Sequence, residues 1–289
     1  MELTWIKYFV ELAHEGHMTR TAEKLGVSQP NLSMVIKRLE QELGVPLFDR
    51  VGRRITLSDY GKAFLPYATK TLSAIESGKR AVLEVKGIYD RNITLATTGT
   101  TFLFGLLKDF IKQYPDVRVR QFIVSPEEAS SMLKMGKADF AITSPPLSDE
   151  ELCTTLIYED KILLATSRDH HLSREESIDL RDLKDEPFID LVENYTFRKL
   201  TDEMCQLAGF TPNIVFEGEI VLMAELVEEG LGVALIPESI MRLYPDFPVK
   251  VIPIRYPEYT RKVGLSWYKH SHMGKYKEAF REFVEAYYK

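Results

Sequence analysis

A chain of 289 residues with 45% hydrophobic and 28% charged residues can bury more than one core, and this composition excludes an intrinsically disordered polymer. The net charge of −6 excludes a generic basic coat for nucleic acid, yet residues 1–58 carry a net +1 and the remainder −7, which leaves room for a local basic face. The two cysteines, Cys153 and Cys205, have no CxxC spacing, no apolar run approaches a membrane span, and the opening MELTWIKYFVELAHEG reads as an amphipathic helix rather than a signal peptide, so a cytoplasmic protein without membrane contact is expected.

Three helical segments come first. Residues 3–14 place Ile6, Phe9, Val10 and Ala13 at helical spacing. A short helix follows, with Thr19 as its expected cap and Gly26 as its left-handed stop. The third begins SQPNLSMVIKRLEQEL, where Ser28 can cap the first turn and Pro30 falls where a missing N–H is harmless. A helix, a tight glycine turn and a capped helix make the spacing of a helix-turn-helix, with Ala22 small enough for close helix approach. The arginine-rich run RVGRRITLS has the shape expected of a wing. Ser58 then caps a long helix from Asp59 to about Lys86, which carries Pro66 near its start. Leu65, Ala68, Leu72, Ile75 and Val82 form a stripe on it that suits dimerisation.

From Asn92 the hydrophobic period changes. ITLAT, VRVRQFIV, DFAIT, KILLAT, FIDLV, NIVFEG, GVALIP, VKVIPI and KVGLSWY read as strands, alternating with helices expected at 102–114, 126–135, 196–207, 220–229 and 276–287. The pattern predicts an α/β region with largely parallel sheets in two small lobes, within an α+β multidomain chain.

The third helix has two sides. Leu32, Val35, Ile36, Leu39 and Leu43 gather toward a core, and Gln29, Ser33 and Lys37 lie opposite, flanked by Pro30, Met34 and Arg38. Gln can pair with both edge groups of adenine, Ser can donate or accept, and Lys suits guanine acceptors or phosphate. Gln29, Ser33 and Asn31 are therefore candidates for base edges. Lys37, Arg38, Arg50, Arg53 and Arg54 are candidates for phosphate or minor groove, with Arg50 also a possible partner of Asp49 or Glu40. The first turn, from Ser28, would add N–H groups and a positive dipole end toward a phosphate.

TAEKLGVSQPNLSMVIKRLEQELGVPLFDR with GRRITLSDYGKAFL resembles the N-terminal winged helix of LysR-type transcriptional regulators, and the resemblance continues through LATTGTTF, FIKQYPDV, GKADFAIT and LVEEGLGVALIP. It implies a winged DNA-binding domain at 1–58, a dimerising linker helix at 59–88, and a two-lobed effector domain at 89–289 like a periplasmic binding protein. The implied first lobe is about 91–160 plus 266–289, and the second about 161–265. The chain would cross between lobes near 158–161 and 262–265. It also implies paired DNA half-sites, a homodimer assembled into a tetramer, contact with RNA polymerase, and a small-molecule effector between the lobes. Asn31 and Met34 depart from the family pattern, so the operator preference is expected to be this chain's own.

Thr98, Thr100 and Thr101 follow the first strand of the second region and open a helix, a setting of hydroxyls and N–H groups that suits a carboxylate or another anion. In the family the loop equivalent to Thr100 and Thr101 contributes to effector binding. Ser125, Ser144 and Thr196 sit where strands end, and each has helix capping as its simpler role. Arg198 is the expected counter-charge for an anion.

The histidine pairs His14 and His17, His170 and His171, and His270 and His272 have no carboxylate or cysteine at supporting spacing, so no metal is expected. Cys153 and Cys205, 52 positions apart, are expected to be buried thiols rather than a redox switch. No GxSxG, GxxxxGK[ST], HExxH or strand-linked GxGxxG occurs, so neither catalysis nor a cofactor is expected. A bare solute carrier would have no use for residues 1–86.

Overall fold

The structure, a computed structural model, describes residues 1–51, 54–85, 91–244 and 247–288. It falls into two compact units, residues 1–89 with 134–136, and the rest of 90–289.

In the first unit, helices α1 (Leu3–Glu15), α2 (Met18–Leu25) and α3 (Gln29–Leu43) precede strands β1 (Phe48–Val51) and β2 (Arg54–Leu57) and the long helix α4 (Asp59–Val85). The turn between α2 and α3 depends on Gly26, whose φ of 68° is a left-handed conformation that a β-carbon disfavours. Ser28 caps α3, its hydroxyl accepting from Asn31 N at 3.4 Å. The start of α2 differs from expectation. The backbone leaves extended geometry at His17, and Thr19 lies inside the helix and is not its cap.

Leu32, Val35, Ile36 and Leu39 are fully or almost fully buried, beside Phe9, Leu12 and Leu47. The ring of Phe9 packs on Phe48 at 5.4 Å and on Phe64 at 5.2 Å, which joins α1 to the wing and to α4. β1 and β2 pair antiparallel, with Phe48 opposite Leu57 and Val51 opposite Arg54. Glu40 on α3 accepts from Leu47 N at 2.8 Å and Phe48 N at 3.3 Å, fixing where the chain enters the wing. Ser58 accepts from Gly61 N at 3.1 Å, as its capping role requires. Of the α4 stripe, Leu65, Ala68 and Leu72 pack on this unit's own core, whereas Val82 is exposed.

The second unit contains β3 (Asn92–Thr97), α5 (Phe104–Gln113), β4 (Arg118–Ile123), α6 (Pro126–Lys134), β5 (Phe140–Thr143), β6 (Leu152–Thr166), β7 (Ile178–Asp179), β8 (Pro187–Leu191), α7 (Thr196–Leu207), β9 (Asn213–Gly218), α8 (Ile220–Glu228), β10 (Ala234–Pro237), α9 (Ile240–Leu243), β11 (Lys250–Tyr256), β12 (Thr260–Tyr268) and α10 (Lys275–Tyr287). Two cores define two lobes. One gathers Ile93, Leu95, Leu106, Phe110, Phe140 and Phe280, and the other Leu164, Ile178, Phe188, Met223, Val227 and Leu235.

The sheets are mixed, which corrects the expectation of largely parallel pairing. β3 runs parallel to β4 and β5, β8 to β9, and β7 to β11. The centre is antiparallel: β12 pairs with β5 and β6, and the far part of β6 pairs with β10 and β11. The 15-residue β6 also extends well before the KILLAT run. Its first part alternates half-buried and exposed positions and carries Glu159 and Asp160, residue types depleted in strands.

Truncating Glu40 strands two N–H groups that a carboxylate now holds. We expect Glu40→Ala to destabilise the first unit by about 1–3 kcal/mol in urea unfolding followed in that unit, with the effector unit's transition unmoved.

Candidate functional site

On α3 the core-facing residues are locked and the opposite side is uncommitted. Ser28, Gln29, Pro30, Asn31, Met34, Lys37 and Arg38 are exposed, and Ser33 is half-buried. Among the described residues the side chains of Gln29, Asn31, Ser33, Lys37 and Arg38 make no hydrogen bond or ion pair, whereas Lys24 on α2 is held by Glu11 at 3.0 Å and Glu15 at 2.9 Å. The start of α3 offers less to a phosphate than its sequence suggests. Asn31 N is capped by Ser28, Leu32 N bonds Ser28 O at 3.1 Å and Pro30 has no N–H, which leaves the amide of Gln29. Arg53 lies outside the described residues, as do the side chains of Arg50 and Arg54. Glu40, one of the two acids considered as a partner for Arg50, is occupied by the backbone of Leu47 and Phe48.

In the second unit a cleft of about 650 Å³ is lined by Ser125, Ser144, Thr196, Lys199, Tyr259 and Lys262, among others. Its walls come from the ends of β4 and β5, the start of α7 and the segment entering β12. It therefore opens at the carboxyl ends of parallel strands, where loops converge on a ligand.

The expected effector residues divide. Ser144 and Thr196 line the cleft, as does Ser125, whose hydroxyl also caps α6 by accepting from Glu128 N at 3.2 Å. Thr98 is buried and turned to structure. Its hydroxyl accepts from Ser144 N at 2.9 Å and donates to Ser144 O at 3.4 Å, tying together the ends of β3 and β5. Thr100 is exposed. Thr101 is half-buried, its hydroxyl 3.4 Å from Arg261 Nη1 and 3.2 Å from Ser239 Oγ.

Arg198 is not the counter-charge expected of it. Its guanidinium is buried and spent inside the second lobe, donating to Glu217 and Leu191 O at 2.7 Å and to Asp202 at 3.0 Å, with Asp190 at 3.5 Å. Three carboxylates and a carbonyl engage its Nε and Nη1, so it holds α7 against β8 and β9. The buried cation facing the 98–101 loop is Arg261, beside Asp160 at 3.7 Å. Sequence reading misses it because the strand-like run KVGLSWY begins one residue later, and a buried arginine breaks the apolar pattern that marks a strand.

The histidines also need correction. His170 and His171 do have a carboxylate, Glu186, at 3.5 and 3.6 Å, brought in by the fold rather than by local spacing. The ring geometry is that of a hydrogen bond to the acid. His170 Nδ1 accepts from Leu172 N at 3.3 Å, so in the neutral ring Nε2 carries the proton and faces Glu186. Cys205 is buried, and burial pushes its thiol up to about 12, where it is inert.

A winged helix-turn-helix and, in the same chain, a two-lobed unit with an interlobe cleft define a ligand-responsive DNA-binding regulator. Comparison with known proteins narrows this. Residues 92–289 match the family model described as LysR substrate binding domain, and residues 3–62 match that of the bacterial regulatory helix-turn-helix protein, lysR family. The chain belongs to the LysR family of DNA-binding transcriptional regulators and carries that family's effector-binding domain. It is 30% identical to the uncharacterized HTH-type transcriptional regulator YybE of Bacillus subtilis, over 100% of this chain and 99% of that one. It is 32% identical to the HTH-type transcriptional regulator ShiR of Corynebacterium glutamicum, over 94% of each. A full-length OxyR variant from Pseudomonas aeruginosa superimposes with a TM-score of 0.68 at 25% identity, covering 99% of this chain and 95% of that one.

Burial raises the Asp190 carboxyl from its ordinary 3.8 to about 6. Between those values the native chain keeps a proton that the unfolded chain releases, so this group's share of stability is lost as pH rises through the window. Unfolding of the effector unit in urea at pH 5 and pH 7 checks this. Asp190→Asn should remove a component of about 1 kcal/mol by which the wild type is favoured at the lower pH.

Proposed function

We propose that this regulator reads paired operator half-sites with α3 and changes their occupancy when a small molecule enters the interlobe cleft. The observation that carries the proposal is the division of α3 into a core side and a polar side whose groups have no intramolecular partners among the described residues. Lys24 on α2, by contrast, is held by two local ion pairs. Gln29, Ser33 and Asn31 would read base edges, and Lys37, Arg38 and the wing arginines Arg50, Arg53 and Arg54 would hold the phosphates or the minor groove. Ser28 and Pro30 shape the helix start, and Met34 supplies an apolar contact suited to a thymine methyl.

In this reading residues 1–58 bind DNA, 59–88 form the dimerising linker and 89–289 sense the effector. The exposed Val82 of α4 supports a helix-to-helix dimer. Pairs of dimers would make the tetramer, and DNA-bound subunits would contact RNA polymerase in the cytoplasm. The chain works by binding rather than turnover. Effector contact by Ser125, Ser144 and Thr196 in the cleft, with Thr100 and Thr101 at the adjoining loop, favours one lobe closure and so one arrangement of the paired winged units. No helix among the described residues is long and apolar enough to cross a membrane.

Footprinting and fluorescence anisotropy with DNA from upstream of the protein's own gene test this. Gln29→Ala should reduce preference for the operator over random DNA, through a loss of about 1–3 kcal/mol on the operator alone. Lys37→Ala or Arg38→Ala should weaken both DNAs alike and lower the salt slope by about 1. Equal loss on both DNAs for Gln29→Ala would overturn the base-reading role.

A further inference from the structure

His170 and His171 are consecutive, yet their rings lie on the same side of the chain. Consecutive side chains diverge by about 180° in a strand and by about 100° in an α-helix. Here the backbone changes at the join. His170 is extended, with φ −63° and ψ 143°, and a single 3₁₀ turn starts at His171 and runs to Arg174. The two rings come to rest 4.4 Å apart, tilted by 33°.

Glu186, in the turn before β8, faces both rings. Its Oε2 lies 3.5 Å from His170 Nε2 and its Oε1 3.6 Å from His171 Nε2. The first separation is at the outer limit of a hydrogen bond and the second is beyond it. Among the described residues the carboxylate has no other partner, although its side chain is only 21% exposed. A carboxylate withdrawn this far from water normally collects short hydrogen bonds, as Asp179 does from Arg181 at 2.6 and 2.9 Å.

The spacing suits a metal ion better than a shared proton. Ligand atoms about 2.0–2.1 Å from a tetrahedral zinc ion stand about 3.3–3.4 Å from one another. The two N···O separations exceed that edge by about 0.2 Å. One ligand atom from each of the three residues lies within 4.8 Å of the other two. Closing the triangle takes a side-chain movement of about 1 Å, which His171, 66% exposed, is free to make. Two imidazoles and a carboxylate are a ligand set of zinc and similar divalent ions, with the fourth position left to water on the exposed side. Coordination at His170 Nε2 moves the ring proton to Nδ1 and ends the contact from Leu172 N, which at 3.3 Å is already long.

We propose that His170, His171 and Glu186 form a binding site for a divalent transition-metal ion, zinc by its ligand types and spacing. The site joins the segment leaving β6 to the turn entering β8, both in the second lobe. None of its residues lines the interlobe cleft, so it is separate from effector binding there. A bound ion clips the two segments together and stabilises the second lobe, because the unfolded chain does not hold the three ligands in place.

The test is titration of the full-length protein with Zn²⁺ after chelator treatment and desalting, followed by calorimetry and thermal shift, with Co²⁺ as an absorbing substitute. About one equivalent of Zn²⁺ per chain should bind with a dissociation constant of about 10 μM or tighter and raise the melting temperature. Co²⁺ should give the visible bands of a four-coordinate site. Mg²⁺ and Ca²⁺, which prefer oxygen ligands, should not compete. Glu186→Gln should weaken Zn²⁺ roughly tenfold or more, and so should His171→Ala, at an exposed position whose loss leaves the fold intact. His270 and His272, two positions apart, are the competing pair in the sequence, and replacing both with Ala should leave the bound equivalent in place. No Zn²⁺ bound at about 100 μM, displacement by Mg²⁺ or Ca²⁺, or an affinity unchanged in both His171→Ala and Glu186→Gln would each overturn the site. Binding that disappears only in the His270 and His272 double variant would overturn it too.

Discussion

The effector unit depends on one pairing, the antiparallel ladder between β6 and β12. It joins Thr260 to Lys161 at one end and Tyr268 to Leu152 at the other, with a register shift at Val263 and Gly264. β12 also carries β5 of the first lobe, and β6 continues past the ladder to carry β10 and β11 of the second. Each lobe is therefore built on a strand that also belongs to the crossing. Because backbone hydrogen bonds inside a ladder are not readily given up, relative motion of the lobes must come from twist and from the side chains at the crossing rather than from breaking the sheet. Asp160 and Arg261 sit opposite each other on that ladder, so a buried charge pair lies where the lobes are joined.

The same economy of roles explains α3. Four apolar residues at helical spacing are needed to hold the helix against Phe9, Leu12 and Leu47, and that fixes which side faces away. Ser28 and Glu40 then spend their polar atoms on backbone N–H groups at the two ends of the helix. The residues between them on the outer side have no such duty. A side that the fold does not use is where a recognition preference can vary without cost to stability, and Asn31 and Met34 lie there.

Much of this is legible in the sequence because the signals are local. Glycine stops, serine caps and apolar spacing set α1 to α4, and α7 begins and ends where its pattern does. The first part of β6 is not legible. Its alternation is weak, and its acidic residues are tolerated because one face is exposed and Asp160 is bonded to a serine 79 positions away. Sheet direction is hidden for a related reason. Alternation of strand and helix signals parallel pairing within each lobe but says nothing about two strands that cross between lobes. The arginines show the limit most clearly. Arg198 looks available in the sequence because its three carboxylates arrive from β8, its own helix and β9, and Arg261 looks like a loop residue because the aromatic rings around it come from two different cores.

That last arrangement bears on how a ligand could move the protein at all. A ligand shifts an equilibrium only by the difference in its affinity for the two states. Phe102 and Phe197 belong to different lobes, and both lie against Arg261, while Thr101 of the first lobe meets Ser239 of the second through hydroxyls that end on Asp160. Separating the lobes would break each of these pairs and expose the guanidinium to water. A buried guanidinium between two cores is far more sensitive to such a separation than one in water, where its pairings are worth little. The crossing is therefore the place where a difference between two lobe arrangements would cost most, which is the differential a population shift requires.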